Sequence, residues 1–501
     1  MKKRILSLFL AALMLLLAAA CGESDTDKEQ ASVTTAPLAI ETTEGQELTM
    51  AQQRASVADN LPAENFDGKT FTALIREDTK SSFFSEEETG EPVEDMLYRR
   101  DRNVSERFNV QLSYTFIPGS WVDQTTYMTH VRTSIMGDDR SFMLGDGYAA
   151  YVTSLAGENL TYNLNDLTYL NTESPWWFAK CAEELTINGK CYFISGDLSV
   201  YTWNCIFAMV FNKQLAENYG FGDLYSIVRD GNWTLDKVGE LTKAVYTDVN
   251  NNGSQDLGDI FGLTIPLSNN IDAIQLMLDC PITTKDSDGF PQLNLDNPRF
   301  ADMTEKLYSF LYENPGVYCA PETVTIGTEL LNAFQNNEAV ITTQGFGSLS
   351  MLRSMELDFG VIPYPKYDEN QKEYLSMAGD AYTLFFMPVN IGDNADFASI
   401  ITEALCAESY RIVIPEYYEK ALKAKSSRDN ESEEMLDLIR DTLTFNFGSI
   451  NSVALGGSIG YGPAQVLRVT LKSNKPNFVS QWESMKRSCN SKLEELLEAY
   501  R

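Results

Sequence analysis

Apolar runs alternate with helical patterns over most of the chain. Thr70–Ile75 and Val110–Phe116 have the composition of strands, and the helical pattern Glu91–Phe108 lies between them. A further helical pattern, Trp121–Met136, leads to a short strand at Phe142–Leu144. Strands that alternate with helices in this way predict an α/β fold, in which a largely parallel sheet is covered on both faces.

A second set of apolar runs begins near the middle of the sequence. Ile206–Phe211 is long enough for a buried strand, and the short helix Gln214–Tyr219 follows it. Thr234 is placed to cap a helix over Leu235–Val245, because its hydroxyl can accept from a free backbone N–H of the first turn. Ile260–Ile265 has the composition of another strand.

The C-terminal part of the chain predicts three further helices, at Asp396–Glu408, Pro415–Ala424 and Asn477–Tyr500. The last of these is the most clearly amphipathic, because its apolar residues recur every three to four positions. Such a stripe indicates a helix that packs on a folded lobe. Its members are Phe478, Trp482, Met485, Cys489, Leu493, Leu496 and Tyr500.

The start of the chain has the pattern of an export signal. Basic residues 2–4 precede the apolar run Ile5–Leu17, and small residues stand directly before Cys21. This pattern predicts a lipoprotein signal peptide over residues 1–20, although Ala18 replaces the usual Leu. Lipid on Cys21 would hold the exported protein at the outer face of the cytoplasmic membrane.

The amino-acid composition limits the kinds of partner that the protein is expected to bind. Residues 21–62 are polar and contain few large apolar side chains, which predicts a disordered tether. Acidic residues outnumber basic ones by 71 to 39, for a net charge of −32. Such a charge argues against nucleic acid and against anionic lipid surfaces as partners. No second apolar run in the sequence approaches the length of a membrane span.

Residues of the common catalytic motifs are scarce. His130 is the only histidine, so a Ser-His-Asp or Cys-His nucleophile would have to use it. Seven of the eight cysteines lie beyond Cys21, and their irregular spacing matches neither a disulfide framework nor a zinc site, which leaves their disulfide state open. A pair of carboxylates for glycoside hydrolysis also stays open in so acidic a chain.

One loop has the spacing of a calcium-binding loop. Across residues 248–259, oxygen-bearing side chains occupy positions 1, 3, 5, 9 and 12, with Gly253 at position 6. Position 12 is Asp rather than the usual bidentate Glu, which predicts modest affinity. A plain Asn/Gly turn is the alternative interpretation. The predicted ligands of a structural Ca²⁺ are Asp248, Asn250, Asn252, Ser254 (through its backbone carbonyl), Asp256 and Asp259.

The order of these motifs resembles that of the family 1 extracellular solute-binding proteins of bacterial ABC importers. Val210-Phe211-Asn212-Lys213 is similar to the family's strand ending in Asn-Lys, and Asn232-Trp233-Thr234-Leu235 to its Trp-Thr helix start. Leu331–Thr342, Gly345–Ser348 and Asp358–Pro365 then follow the family's later order of helix, strand, Gly-aromatic and Gly-Val-x-Pro-x-Pro segments. The resemblance implies a two-lobed, periplasmic-binding-protein-like α/β fold with a hinge between the lobes.

Candidate ligand contacts come from strand ends, aromatic clusters and this resemblance. In open α/β sheets, ligands bind beyond the carboxyl ends of strands, which favours Asp146 and Tyr148. Neighbouring residues of a strand point to opposite faces, so Trp177 is expected to face a cleft while Trp176 packs inside. The resemblance adds an aromatic after a later strand and two residues of a returning crossover. The predicted ligand-binding residues are Asp146, Tyr148, Trp177, Tyr201, Trp203, Phe346, Asp380 and Tyr382.

Together these features predict a two-lobed binding protein. Residues 63–208 with 375–430 would form lobe 1, and residues 209–374 with 431–501 would form lobe 2. The resemblance implies a monomeric substrate-binding lipoprotein that closes on a small solute, without chemistry, and delivers it to an ABC permease. The aromatic clusters and the family's habits favour a sugar or oligosaccharide. A secreted carbohydrate-active hydrolase with a carboxylate pair, and an orphan surface lipoprotein, are the alternatives.

Overall fold

The computed structural model describes residues 49–324, 326–352, 358–424, 429–456 and 461–501. The predicted signal peptide, Cys21 and the first part of the predicted tether lie outside these ranges. Within them, no helix combines the length and the apolar character that a membrane span requires.

The described residues contain eleven strands, which form two larger sheets and one hairpin. In chain order they are β1 Lys69–Arg76, β2 Val110–Ile117, β3 Leu144–Tyr148, β4 Phe207–Asn212, β5 Phe261–Pro266, β6 Thr283–Lys285, β7 Pro291–Leu293, β8 Val317–Ala320, β9 Ala339–Gly345, β10 Phe359–Ile362 and β11 Thr383–Phe386.

Helices connect the strands and cover the sheets. The α-helices are Met50–Ala55, Lys80–Phe83, Pro92–Phe108, Gln124–Met136, Ala149–Val152, Ser154–Gly157, Ala179–Leu185, Val200–Asn204, Lys213–Asn218, Leu224–Arg229, Leu235–Thr242, Asn269–Met277, Pro298–Tyr308, Leu331–Gln335, Phe346–Leu349, Ala395–Glu408, Asn430–Asp441, Phe447–Ile450, Ser452–Gly456, Val466–Lys472 and Phe478–Leu497. Tighter or wider helical turns are Glu77–Thr79, Trp121–Asp123, Leu164–Asp166, Ser309–Glu313, Ile326–Leu330, Ser350–Leu352, Val389–Asn394, Ser409–Val413, Pro415–Ala424, Pro463–Gln465 and Glu498–Tyr500.

Each larger sheet is the centre of one lobe. In lobe 1 the strand order is β11-β3-β1-β2, with β1 parallel to both β2 and β3 and β11 antiparallel to β3. In lobe 2 the order is β10-β4-β9-β5-β8, with β5 parallel to β8 and β9 and β4 antiparallel to β9 and β10. The α/β class expected from the alternation of strands and helices is therefore confirmed.

Chain segments that run between the lobes lie side by side. The backbone N–H of Phe207 donates to the carbonyl of Met377 at 3.0 Å, and Gly379 donates to Cys205 at 2.8 Å. The second segment also pairs with a third, because Ser376 donates to the carbonyl of Thr442 at 3.1 Å. These short backbone ladders lie where the chain passes between the two sheets, which is the position of the predicted hinge between the lobes.

The tail helix Phe478–Leu497 joins both cores. Phe478 stacks on Phe300 of lobe 2 at 5.4 Å, and every residue of the predicted stripe is buried, which confirms the amphipathic pattern. Its last turns belong to the hydrophobic core of lobe 1, where Tyr500 meets the ring of Tyr192 at 5.0 Å. The expectation that residues 431–501 lie wholly in lobe 2 is therefore wrong at their C-terminal end.

Residues 49–62, the end of the predicted tether, are folded onto lobe 1. Thr49 caps the helix Met50–Ala55, and Asp59 is held by Arg107 at 2.6 Å and by Arg411 at 3.1 Å. The prediction of a disordered tether is wrong for these residues, because ion pairs with distant parts of the chain order a segment whose own composition is polar.

Strand β3 begins and ends later than the predicted strand Phe142–Leu144. The segment Gly145-Asp146-Gly147-Tyr148, which the sequence placed beyond the end of the strand, continues the sheet. Close packing explains this. A Cβ on Gly145 would lie 2.3 Å from the ring of Phe386, and a Cβ on Gly147 would lie 2.3 Å from Val152. Glycine in this strand admits neighbours that a side chain would exclude.

Candidate functional site

The carboxyl ends of the parallel strands in both lobes face the hinge segments. In lobe 1, Arg76 ends β1, Trp121 follows β2 and Tyr148 ends β3. In lobe 2, Asn269 follows β5 and Phe346 follows β9. This is the position at which open α/β sheets bind ligands, and we refer to it as the cleft.

Arg76 organises the lobe 1 side of the cleft. It is fully buried, and its guanidinium nitrogens lie 3.4 Å from Asp146 and 3.2 Å from Asp78. The guanidinium also donates a hydrogen bond to the backbone carbonyl of Ala381, which lies on the segment that returns to lobe 1, at 3.0 Å. The guanidinium carbon also lies 5.0 Å from the ring centre of Tyr148 and 5.4 Å from that of Tyr201. The two carboxylates keep Arg76 charged despite its burial, and the charge attracts both ring faces.

Asp146 supports this arrangement from inside the lobe. Its side chain is completely buried and accepts from the hydroxyl of Thr79 at 2.5 Å as well as from Arg76. Tyr127 donates to its backbone carbonyl at 2.6 Å. The prediction that Asp146 contacts a ligand is therefore wrong, because its oxygens are already committed to neighbours within lobe 1.

Asp380 lies between Tyr148 of lobe 1 and a residue of lobe 2. The hydroxyl of Tyr148 lies 3.5 Å from Oδ1 of Asp380, and the side chain of Asn269 donates to the same oxygen at 3.0 Å. Gly379 allows this approach, because a Cβ there would lie 3.2 Å from the amide nitrogen of Asn269. Burial raises the pKa of Asp380, and the hydrogen bonds from Asn269 and Tyr148 oppose that rise.

A second carboxylate stands close by on lobe 2. Asp272 lies in the first turn of the helix that Asn269 begins, and Arg468 approaches its Oδ2 at 3.0 Å. Burial raises the pKa of Asp272 well above its ordinary value, Arg468 lowers it, and the charge of Asp380 adds to the rise.

Trp121 is a cleft residue that the sequence did not single out. Its ring centre lies 6.1 Å from that of Tyr148, and 42% of the residue is exposed. The signal was available, because Trp121 follows the carboxyl end of β2 just as Tyr148 ends β3. An exposed indole beside a second aromatic ring offers a flat apolar face to a bound solute.

Trp177 and Trp203 are core residues rather than cleft residues. The indole nitrogens of Trp176 and Trp177 donate to the two oxygens of Glu403, at 3.0 and 2.9 Å. Trp203 donates to Asp197 at 3.0 Å. The argument that adjacent Trp residues must diverge is wrong here, because they lie in a turn rather than on a strand and bend toward one carboxylate.

Burial of these acceptors perturbs their titration. It raises the pKa of Glu403 to about 7, with the hydrogen bonds from the two indoles opposing it. It raises that of Asp197 to about 6, against the opposing charge of Arg54.

The remaining predicted ligand-binding residues lie in the walls of the cleft. Phe346 is 1% exposed and Tyr382 is 3% exposed, so neither offers a ring face to a solute in this conformation. The ring of Tyr382 packs edge-on against Phe445 at 5.8 Å. Tyr201 is half-buried beside Arg76. The structure therefore brings together Tyr148, Tyr201 and Asp380 of the predicted set, and it adds Trp121 and Asn269.

The predicted calcium loop lies apart from these residues and is closed by its own hydrogen bonds. Asp248 accepts from the backbone of Gly253 at 2.9 Å, and the side chain of Asn252 donates to Asp256 at 2.7 Å. Gly253 has a φ of 74°, as the sharp turn at position 6 requires, and Asp259 is completely buried. No group of three acidic, His or Cys side chains converges on a metal position anywhere in the described ranges.

Comparisons with known proteins identify the fold. No family model matches the chain, and no curated protein matches it. Among solved structures, the galacto-N-biose-/lacto-N-biose I-binding protein from Bifidobacterium longum, in complex with lacto-N-biose, is similar with a TM-score of 0.55 and 10% identity, over 86% of this chain and 99% of that one. UgpB from Mycobacterium tuberculosis, in complex with glycerophosphocholine, is similar with a TM-score of 0.54 and 12% identity, over 86% of this chain and 99% of that one. The MalE domain from Bdellovibrio bacteriovorus, bound to maltotriose, is similar with a TM-score of 0.51 and 13% identity, over 86% of this chain and 100% of that one. The chain therefore has the two-lobed α/β fold of these binding proteins, as the sequence predicted.

Proposed function

We propose that this protein is the substrate-binding lipoprotein of an ABC importer, which captures a sugar or oligosaccharide by hinge closure and delivers it to the permease. The observation that carries the proposal is the contact of Asn269 in lobe 2 with Oδ1 of Asp380, the same oxygen that the hydroxyl of Tyr148 in lobe 1 approaches. It places polar groups of both lobes around one cleft, beside the hinge ladders that would let the lobes move.

Each cleft residue has a role in this proposal. The exposed ring of Trp121 stacks on the apolar face of a sugar ring, while Tyr148 forms the neighbouring wall. Asp380 and Asn269 offer oriented acceptors and donors to hydroxyl groups. Arg76 does not touch the solute, since it is buried, but it fixes the rings of both tyrosines.

The hydrolase alternative is not favoured. The similar solved structures are described as binding proteins with solutes bound. Gly456–Gly460 does fit a Gly-x-Ser-x-Gly pattern, but it follows the helix Ser452–Gly456, and that nucleophile motif needs a strand before it. His130 lies exposed on the helix Gln124–Met136.

A melting screen of the purified protein against sugars, oligosaccharides, amino acids and peptides tests the proposal. Solute at a hundred times its dissociation constant adds about 2.7 kcal/mol to stability, which a raised melting temperature reports. The solute recovered afterwards must be unchanged. A sugar that raises the melting temperature and is then cleaved would favour the hydrolase, and no response to any sugar would contradict the carbohydrate assignment.

The lipid anchor is part of the proposal and rests on the leader sequence. Cys21 follows small residues at the end of an apolar run, and the chain between it and residue 49 would link the lipid to lobe 1. In cells that process lipoproteins, the wild-type protein should fractionate with membranes. Cys21→Ser should release it into the medium or periplasm, and retention of that variant on membranes would contradict anchoring through this residue.

A structural Ca²⁺ in the loop 248–259 is a further proposal. Its oxygens come from Asp248, Asn250, Asn252, Asp256, Asp259 and the carbonyl of Ser254. The loop spacing and the turn at Gly253 fit a calcium loop, and a bound cation would replace the amide contacts that now hold Asp256. Calcium would supply charge compensation to three carboxylates and stiffen the edge of lobe 2.

A further inference from the structure

The charged groups of the cleft are not balanced. On the lobe 1 side, the buried guanidinium of Arg76 faces both Asp78 and Asp146. One negative charge is therefore left over there, before Asp380 is considered. The excess sits at the carboxyl ends of the strands, where a solute would bind.

On the lobe 2 side the charges are matched. Arg468 lies 3.0 Å from Asp272 and 4.0 Å from Glu322, and Lys472 pairs with Glu322. Arg468 is the cation that acts electrostatically on Asp380, but Asp272 already takes it up. Among the residues that the structure describes, no Lys or Arg of this lobe forms an ion pair with Asp380.

Asp380 is the carboxylate that lacks a charged partner. Both of its side-chain donors, Asn269 and Tyr148, are neutral, and both engage Oδ1. Its Oδ2 accepts no hydrogen bond from any other residue in the ranges that the structure describes, and no Lys, Arg or His nitrogen of those ranges lies within the 4.0 Å of an ion pair. A carboxylate that loses water on closure without a cation is costly.

Asp272, on the lobe 2 side of the cleft, is a second carboxylate whose oxygens are poorly satisfied. The residue is 7% exposed, and neither of its carboxylate oxygens accepts a well-aligned hydrogen bond from the described residues, although Arg468 is near. Burial raises the pKa of both Asp272 and Asp380, so closure around a solute without positive charge would favour their protonated forms.

We propose that the cleft selects a solute with a protonated amino group, such as an amino sugar unit of an oligosaccharide, seated against Oδ2 of Asp380. This inference rests on the proposed binding function and names its substrate class. An ammonium group supplies the missing charge and donates charge-assisted hydrogen bonds to the oxygen that has none. Trp121 contacts the apolar face of the same sugar ring, and Tyr148 forms the neighbouring wall. Acidic and phosphorylated sugars are excluded by repulsion from the excess carboxylates.

Matched sugars test this selectivity directly. Calorimetric titration at pH 7 would compare glucosamine, galactosamine, mannosamine and β-1,4 glucosamine oligomers with their N-acetylated and hydroxyl counterparts, which keep the ring and remove the charge. We expect the amine of the preferred series to bind at least about tenfold more tightly, the range of hydrogen bonds to charged groups. Asp380→Asn should reduce its affinity to that of the hydroxyl counterpart.

Asp393→Asn is the matched control. It removes the same charge from an exposed residue that follows β11, whereas Asp380 precedes that strand, so the two residues lie beyond its opposite ends. It should leave the affinity ratio unchanged.

The outcomes separate this inference from the proposed function. A neutral or anionic sugar that binds more tightly than every amine overturns the inference and leaves the binding function standing. An amine preference that survives Asp380→Asn overturns the assignment to Asp380. If no carbohydrate of any charge binds, the proposed function fails and the inference fails with it.

Discussion

Asn269 donates from its side-chain amide to Oδ1 of Asp380 at 3.0 Å, and this contact joins the first helix turn after β5 to the segment that returns to lobe 1. Both residues belong to the surfaces that closure would bring onto a solute.

Asn269→Ala should weaken solute binding about tenfold or more, because it leaves Oδ1 of a buried carboxylate with only the 3.5 Å contact of Tyr148. Stability in urea should fall by only about 1 kcal/mol. Asn490→Ala, on the exposed face of the tail helix, is the control and should change neither quantity. Equal affinity in wild type and Asn269→Ala would contradict a role for this residue in binding.

Trp121→Ala should weaken carbohydrate binding by about tenfold, since a stacked aromatic contributes on the order of 1 kcal/mol beyond its buried area. Because the residue is 42% exposed, the melting temperature without solute should hardly change. Val122→Ala, one position on and 86% exposed, should leave binding intact. Calorimetric titration with the solute found in the melting screen measures the affinity of both variants. A Trp121→Ala protein with full affinity would remove this ring from the site.

Glu403 predicts a pH dependence of stability. Its pKa is raised from 4.5 to about 7, so the folded state holds the proton more tightly than the unfolded state. The free energy of unfolding should therefore be highest below about pH 4.5 and fall as pH rises through about 7, by about 3 kcal/mol in all from this group.

Glu403→Gln removes that titration. Relative to wild type, the variant should lose stability at pH 5, because its amide cannot accept from both indoles, and should recover part of that loss by pH 8. Urea unfolding at both values measures the difference, which also cancels the similar contribution of Asp197. Glu173→Gln, an exposed residue, serves as the control. A deficit of equal size at both pH values would show that Glu403 does not titrate in this range.

The calcium loop predicts a metal-dependent melting temperature. Added Ca²⁺ should raise it in the wild type and chelator should lower it, while Asp248→Ala should abolish the response, because this residue contributes the first ligand of the loop. Asp288→Ala, exposed in a different turn, should keep the response. A wild-type protein whose melting is indifferent to Ca²⁺ and chelator would favour the plain Asn/Gly turn.

Tyr500 tests the link between the tail and lobe 1. Its ring is 1% exposed against Tyr192, and Asn188 donates to its backbone carbonyl at 3.0 Å. Tyr500→Ala should cost about 3 kcal/mol of unfolding free energy, as for other large aromatic truncations in cores. Arg501→Ala, exposed at the end of the chain, should cost under about 0.5 kcal/mol. Similar small effects of both would mean that the tail end does not stabilise lobe 1.

The elements that the sequence predicted well are those with a local signal. Thr234 caps its helix through the backbone N–H of Lys237 at 3.2 Å, because the cap depends on residues three positions apart. The tail stripe is buried as its spacing predicts. Tyr148 lies near a strand end, as the apolar run before it indicated, and strand direction places it among the carboxyl ends of the parallel strands.

The errors concern partners that are distant in sequence. Trp177 was expected in the cleft because adjacent residues of a strand point to opposite faces, but Glu403 is brought by the folding of the lobe to accept from both indoles. Arg76 has the appearance of an exposed charge at a strand end. Its burial depends on Asp146, which arrives through the pairing of β1 with β3. Such pairings follow from sheet register, which one sequence does not specify.

Small-angle scattering with and without the solute that raises the melting temperature is the most direct test of the central claim. The account predicts a smaller radius of gyration in the presence of solute, and recovery of the solute intact. An unchanged radius of gyration at saturating solute would contradict capture by hinge closure, and a cleaved solute would contradict a binding protein that does no chemistry.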